Sequence, residues 1–366
     1  MKAISLIPQT KKISLKEVEE PLVQEPDDIK IKVLQVGICG TDREEAAGGR
    51  ADAPPGKEEL IIGHEMFGKI VEVGSAVKKV AVGDYGLFTV RRGCGHCRPC
   101  QHNRSDMCQS GDYTERGIKG VDGFQSEFVV DKEQYIVPVP AAIKDIGVLT
   151  EPMSVVAKAV DEAMLIQYAR CKTFSSNKWL QGKKALVAGI GTIGLLAAFA
   201  LRLRGAEVYG MDIVDATSMR PQLLNEIGCH YIDGREIATL NLDDHFGQVD
   251  FIFEAAGIAK LQIELIDALG TNGMYVATGI PSAARSITLD GAALMQQLVL
   301  KNQVVVGSVN ASIEHYNIAV ADLLACKEKW PKAIQRMITQ RLPFSDFRRV
   351  LQHHSADDIK VALEWS

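Results

Sequence analysis

The sequence has 366 residues, of which 46% are hydrophobic and 24% are charged. At roughly 150 residues per domain, this length predicts about two domains. The composition is that of a folded globular protein, which excludes disorder for most of the chain. The 41 Lys and Arg residues and the 46 Asp and Glu residues leave a net charge of −5. No basic face is expected from this balance, so we expect no nucleic-acid partner.

The sequence predicts neither an export signal nor a membrane segment. Its N-terminus, MKAISLIPQTKK, lacks an apolar core of signal-peptide length. The longest uncharged stretch, from Ala185 to Leu201, contains three glycines and is shorter than the ~20 residues that cross a bilayer. We therefore expect a cytoplasmic protein without a membrane partner.

The order of strand-like and helix-like segments predicts an α/β fold. Turn residues separate short strand-like segments such as KIKVLQVG, GKIVEVG and SEFVV through the first 150 residues, which indicates a β-rich unit. From about Lys183 to Val309, short apolar strands alternate with helical segments, as in a doubly wound parallel sheet. The last fifty residues end in the strand-like IKVALEW and are expected to complete the first unit. The predicted domains are 1–155, 156–308 and 309–366. Helical spacing predicts helices over Glu151–Ala169, Ile193–Arg204, Asn317–Cys326 and Pro331–Thr339.

A dinucleotide-binding pattern lies between the predicted strands ALVAG and EVYGMD. Gly189 permits a tight turn, Gly191 lets backbone amides approach a pyrophosphate, and Gly194 lets the following helix pack on the strand. The helix begins near Thr192 and Ile193, where unpaired N–H groups would face the phosphates. A glycine-rich turn without a ligand is the alternative.

Asp212 ends the second of these strands and bears on the choice of coenzyme. A carboxylate at this position accepts hydrogen bonds from a ribose 2′-hydroxyl and repels a 2′-phosphate. We therefore expect NAD. NADP is the alternative, because Arg220 lies eight residues further on and is long enough to contact a phosphate. A strand end that only faces solvent is the other interpretation of Asp212.

Four of the eight cysteines form the run Cys94-x2-Cys97-x2-Cys100-x7-Cys108. Two-residue gaps let successive thiolates point at one centre, and a fourth thiolate closes a tetrahedron with no open position. This spacing predicts a structural zinc. An iron–sulfur cluster also uses four cysteines, but its bacterial ferredoxin run has a shorter last gap and a following proline. Free thiols are the remaining alternative.

Cys39, His64 and Glu151 are three further residues of types that bind zinc. Three protein ligands and an open position make a catalytic zinc site. Spacing alone does not bring these distant positions together. A buried cysteine, a hydrogen-bonded loop histidine and a helix N-terminal acid are equally consistent with the residues taken singly.

Taken together, these motifs resemble the zinc-containing medium-chain alcohol dehydrogenases. Gly63-His64-Glu65-x2-Gly68-x5-Gly74-x2-Val77 matches that family's signature, and GICGTD, the four cysteines and GxGxxG follow in the family's order. The strings GICGTDRE, RRGCGHCRPC, GVLTEP and GSVNASIEHY are most similar to those of the glucose (aldose) 1-dehydrogenases. The resemblance implies a GroES-like catalytic domain, a Rossmann domain, two zinc ions per chain and a homodimer or homotetramer.

The resemblance also implies roles for individual residues. The ligands of the catalytic zinc would be Cys39, His64 and Glu151, with Glu65 as an alternative ligand or as an orienting residue. The reacting hydroxyl would bind Thr41, and the other sugar hydroxyls would bind Glu115, Glu151 and Asn310. Beside the glycine loop and Asp212, the residues at the coenzyme would be Thr278, Gly279, Val309 and Asn310.

The reaction implied by the resemblance is oxidation of the C1 hydroxyl of a cyclic aldose to a lactone. Zinc would act as the Lewis acid and NAD(P) would accept the hydride. Val90 and Leu300 stand where glucose-active relatives tend to carry Asn and His, so an aldose is implied rather than glucose itself. The alternatives are a polyol or secondary-alcohol dehydrogenase of the same superfamily and a non-catalytic relative that binds zinc and NAD(P).

Overall fold

The computed structural model describes residues 1–172, 178–237, 239–281, 286–355 and 357–365. The chain forms two compact units, one made of Met1–Ser154 with Asn310–Ser366 and the other of Val155–Val309. The chain thus divides after residues 154 and 309, where the sequence predicts divisions after 155 and 308.

Strands make up most of the first unit and alternate with helices in the second. The strands are β1 (Lys2–Leu6), β2 (Ile13–Glu17), β3 (Asp28–Ile38), β4 (Leu60–Ile61), β5 (Glu65–Val73), β6 (Tyr85–Phe88), β7 (Arg91–Arg92), β8 (Thr114–Arg116), β9 (Gly120–Val121), β10 (Phe128–Lys132), β11 (Ile136–Val139), β12 (Lys184–Ala188), β13 (Glu207–Asp212), β14 (His230–Asp233), β15 (Val249–Glu254), β16 (Leu269–Ala277), β17 (Val304–Gly307), β18 (Ile338–Pro343) and β19 (Lys360–Glu364). The α-helices are α1 (Gly40–Ala46), α2 (Arg98–Gln101), α3 (Thr150–Cys171), α4 (Thr192–Leu203), α5 (Met219–Glu226), α6 (Leu242–Phe246), α7 (Ala259–Glu264), α8 (Gly291–Leu300), α9 (Ile313–Lys329), α10 (Pro331–Arg336) and α11 (Phe347–Gln352).

The long strand β3 organises the first unit. The main sheet has the order β11-β6-β5-β3-β19-β18, and β10 also pairs with β3. Strand β19, almost entirely buried, lies antiparallel to β3 with Val361 opposite Ile38. This pairing places the end of the chain within the sheet that its beginning forms. Cys39 follows β3 directly, His64 directly precedes β5, and Glu65 is the first residue of β5.

Six parallel strands form the sheet of the second unit, in the order β14-β13-β12-β15-β16-β17. Their residues are largely apolar because helices cover both faces of such sheets. Ala188 lies opposite Met211 on one side and Glu254 on the other, so three strands end at the same edge. The strand order reverses at β12, with β13 and β14 on one side and β15 to β17 on the other. Doubly wound sheets bind their ligands at such a switch point.

The segment predicted as a helix over Pro331–Thr339 is divided between two elements. Helix α10 ends at Arg336, and strand β18 begins at Ile338. The strand is specified by its pairing with β19, where Ile338 lies opposite Lys360, and local helical spacing carries no information about that partner. Among the described residues, no helix has the length and apolar character needed to span a membrane.

Candidate functional site

Cys39, His64 and Glu65 lie together in the first unit. Cys39 is the N-cap of α1 and its Sγ accepts a hydrogen bond from the Thr41 N–H at 3.2 Å. His64 directly precedes β5, and its Nε2 lies 3.2 Å from the Cys39 Sγ. Donor atoms of Cys39, His64 and Glu65 all lie within 4.8 Å of one another. This separation suits a single zinc ion, whose bonds to sulfur and nitrogen are about 2.0–2.3 Å long.

A buried carboxylate supports both of the first two ligands. Asp42 is fully buried on α1. Its Oδ2 accepts a hydrogen bond from the Cys39 N–H at 2.8 Å, and its Oδ1 lies 3.6 Å from the His64 Nδ1. Metal-binding histidines usually present their second nitrogen to a carboxylate, which sets the tautomer and the ring orientation. Asp42 is therefore placed to direct the His64 Nε2 toward a metal.

Glu151, in the first turn of α3, is the third expected ligand. It lies outside the group within 4.8 Å, but it interacts electrostatically with His64 and Glu65. Burial raises the pKa of Glu151 to about 7, and burial also raises the pKa of the Cys39 thiol. Burial thus disfavours the ionised form of both groups in the metal-free protein. A divalent cation reverses this preference because it binds the thiolate and the carboxylate, so the donor set fits zinc.

Glu65 is held by a buried lysine. Lys360, only 1% exposed, lies on β19, and its Nζ donates to both carboxylate oxygens of Glu65 at 2.6 and 2.5 Å. A Cβ atom at Gly37 would lie 2.0 Å from the Glu65 Oε2, so this close packing requires a glycine on β3. Both oxygens of Glu65 thus accept hydrogen bonds from Lys360, as expected of an orienting residue. One of them still lies within 4.8 Å of the donor atoms of Cys39 and His64.

The four clustered cysteines form a second, separate group in the first unit. Their sulfur atoms lie within 4.8 Å of one another, and the Sγ atoms of Cys94 and Cys100 are 3.9 Å apart. Four thiolates at about 2.3 Å from one ion stand about 3.8 Å apart by tetrahedral geometry. The sulfur separation therefore favours one zinc ion over an iron–sulfur cluster. A Cβ atom at Gly93 would lie 2.4 Å from the Cys100 Sγ, so Gly93 makes room for this cluster.

Substitution of Cys97 by serine is expected to remove one zinc ion per chain and to lower the free energy of unfolding by several kcal/mol. The reason is that a structural zinc site contributes its binding free energy to folding. Metal analysis and urea unfolding measure the two effects. Cys171→Ser, at the end of α3 and outside both groups, is the matched control and should change neither quantity. An unchanged zinc content in Cys97→Ser would contradict the assignment.

In the second unit, the glycine loop has the geometry that a pyrophosphate site needs. Gly189 has φ +84°, and a Cβ atom there would lie 2.7 Å from the Ala256 backbone N. A Cβ atom at Gly194 would lie 1.8 Å from the Gly189 carbonyl oxygen, whereas one at Gly191 would meet no atom within 4 Å. Gly191 is the N-cap of α4, which begins at Thr192 and continues through Ile193. The open space thus lies in front of the helix N-terminus.

Asp212 is at the end of β13, one strand away from the glycine loop. Its Oδ2 accepts a hydrogen bond from the Ile190 N–H at 2.9 Å, and its Oδ1 accepts one from the Ile213 N–H at 2.7 Å. Asp233 lies opposite it in the neighbouring strand and forms an ion pair with Arg235. The carboxylate of Asp212 is therefore fixed at the edge of the sheet, beside a second acid.

Two of the expected sugar-binding residues meet in the first unit. The Asn310 Nδ2 donates to the Glu115 Oε1 at 2.7 Å, and Arg91 donates to the same oxygen through Nε and Nη2 at 3.1 and 2.9 Å. Hydrogen bonds among the described residues use only this oxygen of Glu115. Asn310 has φ +61°, a left-handed conformation that asparagine tolerates.

The other expected residues of the coenzyme site lie at strand ends of the second unit. Thr278 and Gly279 directly follow β16, and the Thr278 N–H and hydroxyl both donate to the Glu254 carbonyl oxygen. The carbonyl oxygen of Val309 accepts a hydrogen bond from the Lys158 Nζ at 2.9 Å. Leu300, which stands where glucose-active relatives tend to carry His, is the last residue of α8 and is 72% exposed.

Comparison with known proteins gives matches over the whole chain. Residues 25–141 match the model of the alcohol dehydrogenase GroES-like domain, and residues 144–365 match that of the glucose dehydrogenase C-terminus. The glucose 1-dehydrogenase of Methanocella arvoryzae is 33% identical over 100% of this chain and 99% of its own length. Glucose 1-dehydrogenase 2 of Vulcanisaeta moutnovskia is 35% identical with the same coverage. The chain belongs to the zinc-containing medium-chain alcohol dehydrogenase family, in its glucose dehydrogenase branch.

A solved structure of this branch is similar over the same extent. The Haloferax mediterranei glucose dehydrogenase in complex with NADP, Zn and gluconolactone has a TM-score of 0.88 and 32% identity, covering 100% of this chain and 99% of that one. The predicted family and the predicted fold class, with a GroES-like domain and a Rossmann domain, are confirmed. The predicted enzyme class, a zinc-dependent dehydrogenase, is confirmed with them.

Two residues of this dehydrogenase site were absent from the sequence-based assignment. Asp42 follows Thr41 directly in the GICGTD string. The sequence does not indicate that Asp42 faces His64, because this depends on the position of α1 in the fold. Lys360 lies within the otherwise apolar IKVALEW. A lysine in a strand that is buried on both sides needs a buried acid. The presence of Lys360 in this apolar strand therefore predicts an acidic partner.

Proposed function

We propose that this dehydrogenase oxidises the C1 hydroxyl of a cyclic aldose to a lactone, with hydride transfer to a nicotinamide coenzyme. The observation that carries the proposal is the group of Cys39, His64 and Glu65 with Glu151 beside it. In contrast to the four cysteines, this group supplies a thiol, an imidazole and carboxylates, the donor types of zinc sites that keep an open position for substrate. The relatives named glucose 1-dehydrogenase support an aldose as the substrate.

In this proposal Cys39, His64 and Glu151 hold the catalytic zinc, and Glu65 orients them from its ion pair with Lys360. When bound, zinc would supply Lewis acidity that favours ionisation of the C1 hydroxyl. Thr41, two residues after Cys39, would accept the hydrogen bond of that hydroxyl and transfer its proton toward solvent.

The remaining sugar hydroxyls would be held by the pair Glu115 and Asn310. Arg91 and Asn310 already fix one oxygen of Glu115, so its second oxygen can accept a hydrogen bond from a sugar without moving the side chain. Such preorganisation lowers the entropic cost of binding. The side chain of Val90, a residue that is 2% exposed, can make no hydrogen bond to a sugar, so we propose the aldose class as the substrate.

For the coenzyme we propose NAD, because the Asp212 carboxylate at the end of β13 would accept hydrogen bonds from a ribose 2′-hydroxyl and repel a 2′-phosphate. Its immediate surroundings include the further acid Asp233. The Haloferax mediterranei enzyme was solved with NADP, so a preference for NAD would distinguish this chain from that relative. The expected cytoplasmic location and the homodimer or homotetramer stay predictions.

Replacement of Asp212 by alanine is expected to lower kcat/KM with NAD by about 10- to 150-fold and to raise kcat/KM with NADP. Loss of a charge-assisted hydrogen bond costs about 1.5–3 kcal/mol, and removal of the carboxylate also removes the repulsion of a 2′-phosphate. Steady-state kinetics with each coenzyme measure the ratio. Asp215→Ala, three residues further on, is the control and should leave the ratio near that of wild type. An unchanged ratio in Asp212→Ala would contradict the role of this residue.

A coenzyme-reduction assay against C5 and C6 aldoses, polyols and secondary alcohols tests the proposed function. We expect reduction with aldoses, two zinc ions per chain, and a lactone as the product. Turnover confined to polyols or secondary alcohols would support the alternative dehydrogenase and overturn the aldose proposal. One zinc ion per chain without any turnover would identify a non-catalytic relative.

A further inference from the structure

Glu254, at the end of β15, is a fully buried acid to which the proposed chemistry gives no role. Its Oε1 accepts hydrogen bonds from the backbone N–H groups of Ala256 and Gly257 at 2.8 and 2.7 Å. Its Oε2 accepts one from the Gln262 Nε2 at 2.7 Å. Each oxygen of this buried carboxylate has at least one hydrogen-bond donor, so the side chain has one stable position.

The same contacts connect the segment after β15 to the segment after β16. The Gln262 Nε2 also donates to the Gly279 carbonyl oxygen at 2.9 Å. The Gly279 N–H donates to the Glu254 carbonyl oxygen at 3.2 Å. A Cβ atom at Gly279 would lie 2.3 Å from the Gly257 N and 2.8 Å from the Glu254 Oε2. The two segments are therefore packed in backbone contact around one carboxylate.

The order of the strands indicates which half of a coenzyme meets these segments. The glycine loop follows β12, and Asp212, on β13, would hold the adenosine ribose on one side of it. The nicotinamide half must then extend to the other side, across the ends of β15 and β16. The segment after β15 also reaches the glycine loop itself, because a Cβ atom at Gly189 would lie 2.7 Å from the Ala256 N.

We propose that Glu254 is a positioning residue for the nicotinamide half of the coenzyme. Its carboxylate holds Ala256 and Gly257 directly and Gly279 through Gln262, so that the surface meeting the nicotinamide and its ribose exists before the coenzyme binds. Such preorganisation raises affinity without a direct contact to the ligand. The inference rests on the proposed use of a nicotinamide coenzyme.

Glu254→Gln tests the proposal because an amide has the same shape but cannot accept all three hydrogen bonds. Its NH2 group must face either the two backbone N–H groups or the Gln262 amide. We expect NAD to bind about tenfold more weakly, the effect of one unmatched buried donor. AMP, which lacks the nicotinamide half, is expected to bind within about twofold of its wild-type affinity, since the loss is confined to the other half. Isothermal titration calorimetry measures both dissociation constants.

Asp250→Asn is the matched control. Asp250 lies in the same strand and accepts hydrogen bonds from Lys183 and the Lys184 N–H, at the opposite edge of the sheet, so NAD and AMP affinities should both equal those of wild type. Gln262→Met is the second variant. It leaves the bonds of Glu254 to Ala256 and Gly257 intact, so it tests the proposal even if Glu254→Gln fails to fold. It should also weaken NAD binding and leave AMP binding unchanged.

The outcomes separate the two proposals. Equal weakening of NAD and AMP in both variants would indicate general destabilisation and overturn the positioning role. NAD affinity unchanged in both variants would overturn it as well. A wild-type protein that binds AMP but neither NAD nor NADP would overturn the proposed function, and this inference with it.

Discussion

His64→Ala is expected to lower kcat/KM for the aldose by more than about 1,000-fold while the dissociation constant of NAD stays within about twofold of wild type. Removal of an outer partner of a metal ligand typically costs 10–100-fold, and removal of the ligand itself should cost more. Cys39→Ser should behave in the same way because the two donor atoms, 3.2 Å apart, would bind the same ion. The glycine loop, Asp212, Thr278 and Gly279 lie in the other unit, so coenzyme binding should persist.

The zinc content of these variants should fall from two ions per chain to one. Asp42→Asn serves as the matched comparison. It keeps all the ligands but removes the charge that faces the His64 Nδ1, so it should lose about 10–100-fold in activity or zinc affinity. Near-full turnover of His64→Ala would end the assignment of a catalytic zinc to this group.

The second large effect concerns stability. Lys360→Met is expected to lower the free energy of unfolding by about 3–5 kcal/mol, because it leaves the Glu65 carboxylate buried without a counter-charge. Methionine fills a similar volume, so the loss comes from the charge and not from a cavity. Urea unfolding measures it. The double variant Glu65→Gln with Lys360→Met should recover most of the loss, since no charge then stays buried.

Lys132→Met is the control for an ion pair that is only partly buried. Lys132 contacts Asp27 and Asp28, and its side chain is 34% exposed, so the change should cost no more than about 1 kcal/mol. If Lys360→Met is as stable as Lys132→Met, the pair of Glu65 and Lys360 does not stabilise the first unit. Lys360→Arg should retain part of the stability because it keeps the positive charge beside Glu65. It should lose the rest because the larger side chain must fit the same buried space.

The features predicted well from sequence are those in which a few neighbouring residues specify the geometry. The four cysteines span fifteen positions, so their spacing alone limits where the sulfur atoms can lie. The glycine loop is likewise local: the end of a strand, a turn and the start of a helix follow one another within about a dozen residues. The helices over 151–169 and 193–204 were also predicted within a few residues, because their apolar spacing is regular over three turns or more.

Features that depend on strand pairing could not be predicted from the sequence. The two-element structure of residues 331–343 depends on the register of β18 against β19, and no local signal distinguishes it from a helix. Gln262 and Gly279 come together around Glu254 only because β15 and β16 are neighbours in the sheet. The family resemblance places Gly279 at the coenzyme site, but no sequence pattern indicates that Glu254 packs against Gly279.

The sequence by itself determined the family, the α/β class, the four-cysteine cluster and the glycine loop, because each depends on short-range spacing or on a run of residues matched as a whole. Only the tertiary structure decided which distant residues meet: Glu65 with Lys360 across 295 residues, and Glu115 with Asn310 across 195. The physical reason is that these pairs form where strands and loops from opposite ends of the chain are brought into one unit. Their separation along the chain says nothing about their distance in space.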